Sequence, residues 1–366
     1  MRPNLFTYAT KELSQDAFFC WLFEHVKYAQ SGCEQTIAIR LLNTIWEKFT
    51  KLNPSASFTP EPWEQLKLAI NTQVHKIDIL LTFESQVTGD KFFIVIEDKT
   101  HSGEHRDKQV EYYVEKIRRD NPGSVIIPVF LKTGYIPAIK LEELTQRKLV
   151  TILHSDIEKA FSGHVDPKQE IIQSWWTNFQ AAYYNPIMNA QKIDLNQSLA
   201  GLYKEQFNKL AKEILFDRIA AHVFKDLDDG FVVERNVENA KARVLYEYVV
   251  YKPDWIQSTY KIGLYLTWSN ELTLDIKTIP LPYVSQEKMS RETLDQYIMN
   301  RQSIKESLSL PEGWSFANTH LQIAKNTDKL GSLPVDQFKD RVLLDYQKLS
   351  EQIDKSVLRI TPNPII

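Results

Sequence analysis

Phe18, Phe19, Leu22, Phe23 and Val26 return at intervals of three or four, and Ile37, Leu41, Ile45 and Phe49 repeat the pattern. That period predicts two amphipathic helices packed on a sheet, one from Lys11 to about Gln30 and one over Glu34–Leu52. Thr10 or Ser14 is placed to cap the first. Pro54, Pro60 and Pro62 then break the chain, and Gln65–Thr72 reads as a strand. Ile77–Phe83 is apolar and β-branched apart from Asp78, and Phe92–Ile96 is a second apolar run leading into Glu97-Asp98-Lys99. With Gly89-Asp90 between them, the two runs predict an antiparallel hairpin. Such a hairpin brings Asp78 beside Glu97 and Lys99. Side chains alternate across a strand, so Glu97 and Lys99 share one face and Asp98 points to the other.

From Glu104 to about Asp120 the spacing predicts a helix with Gln109, Tyr113 and Lys116 along one face and Val110, Val114 and Ile117 on another. Val125–Leu131 reads as a buried strand in which Pro128 marks an edge or a bulge. A strand, helix, strand succession implies a crossover and a partly parallel sheet. Ile136–Val150 predicts a helix, Thr151–Leu153 an edge strand and Pro167–Tyr184 a further helix. Asn185-Pro186 is the expected boundary, giving domains over 1–185 and 186–366. Beyond it, Leu199–Leu227 is helical in pattern. Phe231–Glu234, Arg243–Tyr251, Tyr260–Trp268 and Glu271–Lys277 read as strands, with Ser269-Asn270 a tight hairpin. Arg291–Leu308 and Val335–Ser356 read as helices. The second half is therefore expected to be an α+β domain with an antiparallel sheet.

Composition narrows the class. The 366 residues, 43% hydrophobic and 25% charged, describe ordinary globular sequence long enough for about two domains. A net charge of −3 does not advertise phosphate binding, although basic residues gathered on one face would allow it. Cys20 and Cys33 are the only cysteines, which excludes a disulfide framework and a cysteine zinc cluster. Met1–Thr10 lacks the apolar core of a signal peptide, and no stretch approaches the roughly 18 apolar residues of a membrane helix. A cytoplasmic location without membrane contact is expected. Phosphate-cradling Gly-x-x-x-x-Gly-Lys, dinucleotide Gly-x-Gly-x-x-Gly, His-Glu-x-x-His and Gly-x-Ser-x-Gly strings are absent.

Carboxylates beside so much apolar sequence call for a cationic partner. A hard divalent ion, held by one or two carboxylates at about 2.0–2.1 Å, is a natural one. The order Asp78, then Glu97-Asp98-Lys99, resembles the active-site signature of the PD-(D/E)XK nuclease superfamily, with Ile77 where the motif's proline would stand. Gln109-Val110-Glu111-Tyr112-Tyr113 resembles the Gln-x-x-x-Tyr helix of its RecB-like branch. Glu12 to Leu22 is similar to the opening helix of uncharacterised bacterial members, whose acid adds a metal contact; Glu12 matches that acid, and Asp16, one turn later, is the alternative. The resemblance implies an α/β fold, a restriction-endonuclease-like mixed sheet flanked by helices. It also implies a Mg²⁺- or Mn²⁺-dependent nuclease hydrolysing phosphodiester bonds of nucleic acid, DNA before RNA, in a setting that would suit bacterial defence. Asp78, Glu97, Glu12 and the Asp98 carbonyl would hold metal, Lys99 would orient the attacking water, and Gln109 and Tyr113 would position the substrate strand.

Plainer readings compete. Asp78, Glu97 and Lys99 could form a solvent-facing ion pair, and Gln109 and Tyr113 a helix-surface pair. His75 is better read as a solvated strand-edge residue than as a phosphate contact. Trp255, Tyr260, Tyr265 and Trp268 fit a sheet core better than base stacking. His101-Ser102-Gly103-Glu104-His105 matches a zinc-peptidase string, but Ser102-Gly103 is poor helix material for that geometry. A nuclease fold serving only as a binding module is the remaining alternative. The second half is assigned to substrate selection, homo-oligomer formation or partner binding.

Overall fold

The structure is a computed structural model describing residues 12–28, 32–54, 61–72, 76–100, 108–196, 209–228, 230–240, 243–268, 272–281, 290–317, 319, 321–328 and 330–360. The chain divides into two compact units, Met1–Gln191 and Lys192–Ile366. Among the described residues no helix is long and apolar enough to cross a membrane.

The first unit is a mixed sheet between helices. Its strands are β1 (Lys67–Thr72), β2 (Ile79–Glu84), β3 (Lys91–Lys99), β4 (Val125–Lys132) and β5 (Val150–Leu153), hydrogen-bonded in that order. β1, β2 and β3 run antiparallel; β3, β4 and β5 run parallel. The helices are α1 (Glu12–Glu24), α2 (Cys33–Leu52), α3 (Gln109–Asp120), α4 (Ala138–Gln146), α5 (His154–Phe161), α6 (Glu170–Phe179) and α7 (Asn185–Gln191).

Strand alternation sorts the core into two layers. Ile79, Leu81, Phe83, Phe92, Ile94 and Ile96 face α1, α2, α5 and α6, joining Phe19, Leu22, Ile37, Leu41, Ile45, Phe161 and Trp175. Leu80, Phe93, Val95 and Phe130 face α3, joining Val110, Tyr113, Val114 and Ile117. The central strands β3 and β4 are thus apolar on both sides over most of their length, whereas β1 exposes Lys67, Ala69 and Asn71. At the hairpin, Phe83 opposes Phe92 with the rings stacked at 4.9 Å, and Trp63 meets Phe83 edge-on at 5.1 Å.

Two local expectations change, and of the two alternatives at Pro128 the edge is the one found. No bulge forms at Pro128: the β3–β4 register runs unbroken from Phe92↔Val125 to Lys99↔Lys132. β5 begins to pair only at Val129, so Pro128 stands on a locally open edge where a missing N–H need not break the ladder. The helix expected over Ile136–Val150 ends at Gln146, and β5 already includes Val150. The chain also stays helical through Asn185-Pro186: α6 passes through a π turn, Gln180–Tyr184, into α7. That wider turn precedes Pro186, whose ring would collide with the carbonyl four residues back in a regular α-helix.

The second unit holds an antiparallel sheet in the order β10-β11-β9-β8-β7-β6, formed by β6 (Val232–Ala240), β7 (Arg243–Tyr251), β8 (Tyr260–Trp268), β9 (Leu272–Pro280), β10 (Trp314–Phe316) and β11 (Gln322–Asn326). Its helices are α8 (Lys209–Phe224), α9 (Arg291–Ser307) and α10 (Val335–Ile360). β10 and β11 are absent from the sequence reading because they are short and Gln322-Ile-Ala-Lys-Asn does not alternate. Half-buried Arg235 ties β6 to α8 through Asp217 at 2.8 Å and Glu213 at 2.7 Å, while Tyr248 donates to Asp217 at 3.0 Å.

Phe92→Ala should lower the stability of the first unit by about 3–5 kcal/mol, because neighbouring rings cannot close the cavity it leaves. Urea unfolding followed by circular dichroism would read this as an earlier first transition. An unchanged transition would mean that the stack is not part of the core.

Candidate active site

Asp78 is placed by the backbone that precedes β2. Lys76 adopts a left-handed φ of 72°, Ile77 turns into the α3-side core, and the chain enters the sheet at Ile79. Asp78 lies just outside the ladder, and its Oδ2 accepts the Asp98 N–H at 3.0 Å. The carboxylate thereby takes the place of a missing strand partner. On β3, Glu97 and Lys99 continue the α3-facing series of Phe93 and Val95, as alternation requires.

These groups meet at one nitrogen. Lys99 Nζ lies 2.6 Å from Glu97 Oε1, 3.3 Å from Asp78 Oδ2 and 3.0 Å from the Asp98 carbonyl oxygen. The Glu97 and Lys99 side chains are 1% and 4% exposed and Asp78 is 17%, so this is no solvent-facing ion pair. Solvent reaches Asp78 most readily of the three.

Gln109 opens α3 and donates from Nε2 to Glu97 Oε1 at 2.9 Å and to the Tyr113 hydroxyl at 2.9 Å. Its Oε1 is buried without a hydrogen-bond partner among the described residues. Tyr113 is itself buried in the α3 core, whereas its neighbour Tyr112 is 64% exposed. Gln109 and Tyr113 therefore brace Glu97. They do not form a surface pair. α3 is held by a two-pronged bond in which Arg147 Nε and Nη2 each reach a Glu111 oxygen at 2.6 Å. Burial alone would raise Glu111, but the Arg147 fork outweighs it and holds the carboxyl below its usual range.

The opposite face of β3 carries a second polar cluster. Asp98 is fully buried, and its Oδ1 accepts from Gln15 Nε2 at 2.6 Å; Gln15 Oε1 in turn accepts from Thr133 Oγ1 at 3.0 Å. Asp16 also lies against Asp98. Burial, and then the Asp16 carboxyl, push Asp98 well above the usual carboxylate range. Burial, with Asp16 and Asp98 nearby, pushes the Cys20 thiol up to about 12, so it is held as a thiol and is a poor nucleophile. Where β3 and β4 end, Thr133 N–H donates to the Lys99 carbonyl at 3.3 Å, and a Cβ on Gly134 would stand 2.2 Å from the Thr100 oxygen. Only glycine permits that approach.

Asp78, Glu97, Lys99, Gln109 and Tyr113 are thus together, and Asp98 contributes its carbonyl to the same place while its side chain turns away. Asp16 belongs to the cluster on the opposite face. Glu12 opens α1, but its side chain lies outside the described residues, as do His75, His101, Glu104 and His105. Trp255, Tyr260, Tyr265 and Trp268 are all buried in the second unit. Sequence reasoning missed Gln15, Thr133 and Lys132. The signal for Lys132 was present in the topology, because a parallel register aligns the lysine ending one apolar strand with the lysine ending the next.

Asp78 and Glu97 are hard oxygen donors converging with a carbonyl on a cation, here the Lys99 ammonium. Among the described residues no three His, Cys, Asp or Glu side chains converge as a metal cage. Two carboxylates and a carbonyl fit an ion that keeps much of its water, as Mg²⁺ does, better than a fully enclosed zinc. Comparison of the chain with protein-family models, with curated proteins and with solved structures finds no match.

Asp98→Asn should separate from the native protein as pH rises. The raised Asp98 pKa means that the folded state keeps a proton which the unfolded state releases above about 3.9. Native stability contributed by this group is complete below that pH and is lost as pH rises through the folded pKa. The stability advantage of Asp98→Asn should therefore grow above about pH 3.9 and level off above the folded pKa, read by urea unfolding at each pH. A pH-independent difference would mean that folding does not raise the Asp98 pKa.

Proposed function

We propose that the first unit is a metal-dependent nuclease of the PD-(D/E)XK type that hydrolyses phosphodiester bonds in nucleic acid, DNA in preference to RNA. The observation that carries this reading is the three-oxygen cradle around Lys99 Nζ, drawn from the entry to β2 and the end of β3. The mixed strand order, with helices on both faces, suits a restriction-endonuclease-like core.

Asp78, Glu97 and the Asp98 carbonyl would hold Mg²⁺ or Mn²⁺, which when bound supplies polarisation of a phosphoryl oxygen and acidification of a water. The chain's own groups divide the remaining work. Lys99 is the cation able to orient the attacking water and offset charge on the pentacovalent phosphorus. Water oxygen bonds to phosphorus as the ester P–O bond breaks, and the proton lost by water is balanced by one gained at the leaving oxygen. Gln109, fixed by Tyr113, keeps the Glu97 carboxylate aimed at the cradle from the α3 side. Asp98 holds Asp78 through its N–H, so Asp78 needs no strand partner of its own.

Cleavage of single- and double-stranded DNA and RNA in Mg²⁺, Mn²⁺, Zn²⁺ or chelator tests the reading, with Mn²⁺ affinity measured by calorimetry. The native protein should cut with Mg²⁺ or Mn²⁺, and Glu97→Ala should lose both metal binding and at least about 100-fold in rate. Lys99→Ala should also lose cleavage, yet bind Mn²⁺ at least as tightly as native because its ammonium no longer competes for the same oxygens. A native protein that cuts no substrate and binds no Mn²⁺ would leave a nuclease-like fold serving as a binding module.

A further inference from the structure

Lys132 ends β4 as Lys99 ends β3, and the two are register partners on adjacent parallel strands. Partner residues in a parallel pair point to the same face, about 4.8 Å apart at the backbone. Lys132 continues the α3-side series of Ile126 and Phe130, so it faces the same side as Glu97 and Lys99. It is 4% exposed. Like charges side by side in a sheet repel, and a buried ammonium is costly unless anions surround it.

The charges on this face suggest its purpose. Among the described residues, Asp78 and Glu97 bring two negative charges to this face and Lys99 and Lys132 two positive ones. A phosphodiester attacked by hydroxide passes through a pentacovalent species with two negative charges. Lys132 is a second ammonium on the face where that negative charge would build up.

From this we infer that Lys132 is a second phosphate-binding cation of the site, which contacts a non-bridging oxygen of the bound strand and acts most strongly when the phosphorus is pentacovalent. This rests on the nuclease reading for its catalytic half and stands apart from it for its binding half. Lys132 lies outside the Asp, Glu-x-Lys and Gln-x-x-x-Tyr strings.

The test uses the full chain with Lys132→Met and Lys132→Gln, which remove the charge, and Lys132→Arg, which keeps it. Thermal unfolding shows which variants fold. Binding of a fluorescent oligonucleotide is followed against salt concentration in chelator, where no cleavage occurs. Removing the charge should flatten the log–log salt dependence by about 0.7 for a single strand or 0.9 for a duplex, one phosphate contact, and Lys132→Arg should restore the slope. With Mn²⁺, kcat should fall about 100-fold or more in the charge-removing variants while KM changes much less. An unchanged slope and kcat in a folded Lys132→Met, beside a native protein that cuts, would overturn the inference and leave the nuclease reading intact. A flattened slope in a protein that cuts nothing would support the phosphate contact while the nuclease reading falls. If the native protein neither binds nor cuts nucleic acid, both fall.

Discussion

A lysine ammonium buried among two carboxylates and a carbonyl is the constraint on which the rest of the first unit depends. Removing such charges from water is favourable only if every partner is present and well aimed. Losing one member of a buried pair typically costs about 3–5 kcal/mol, because its partner stays buried and unpaired. The partners of Lys99 come from separate places: Asp78 from the turn into β2, Glu97 and the Asp98 carbonyl from β3. Gln109, from the first residue of α3, holds Glu97 in turn. The hairpin, the crossover helix and the strand ends must therefore all be in place before the ammonium is compensated.

The two faces of β3 are linked through one residue. The Asp98 N–H holds Asp78 on the α3 side, while its carboxyl meets Gln15 and Asp16 on the α1 side. Gln15 also reaches Thr133 at the end of β4. α1 thus braces the ends of both central strands, and the same braced backbone carries the cradle. Gly134 lets the two strand ends close on each other without a side chain between them.

The second unit is organised by different physics. Its aromatic strand residues pack inward, Phe216 of α8 against Tyr248 at 5.5 Å and Trp268 at 5.8 Å, and buried Asp217 is paired with the half-buried Arg235, which also holds Glu213. Tyr265 and Trp268 are spent on that core and present no stacking platform. The case for nucleic-acid chemistry accordingly rests on the first unit.

The hairpin, the shared face of Glu97 and Lys99 and the opposite facing of Asp98 were legible in sequence, because strand alternation has a period of two and leaves no freedom once the strands are assigned. Helices α1, α2 and α3 were legible for the same kind of reason, a regular apolar spacing. β10 and β11 were not, since three- and five-residue strands carry too few positions to show a period. Gln15 and Thr133 were silent because a polar residue facing the core of a helix or ending a strand has no local signature; its partner is 118 residues away. By itself, then, the sequence determined which residues share a strand face and which chemistry they can offer, for those are properties of local periodicity. Only the tertiary structure decided that Asp78, Glu97 and the Asp98 carbonyl converge on one cation and that Lys132 stands beside it. Convergence depends on the register between strands far apart in the chain, which no local pattern encodes.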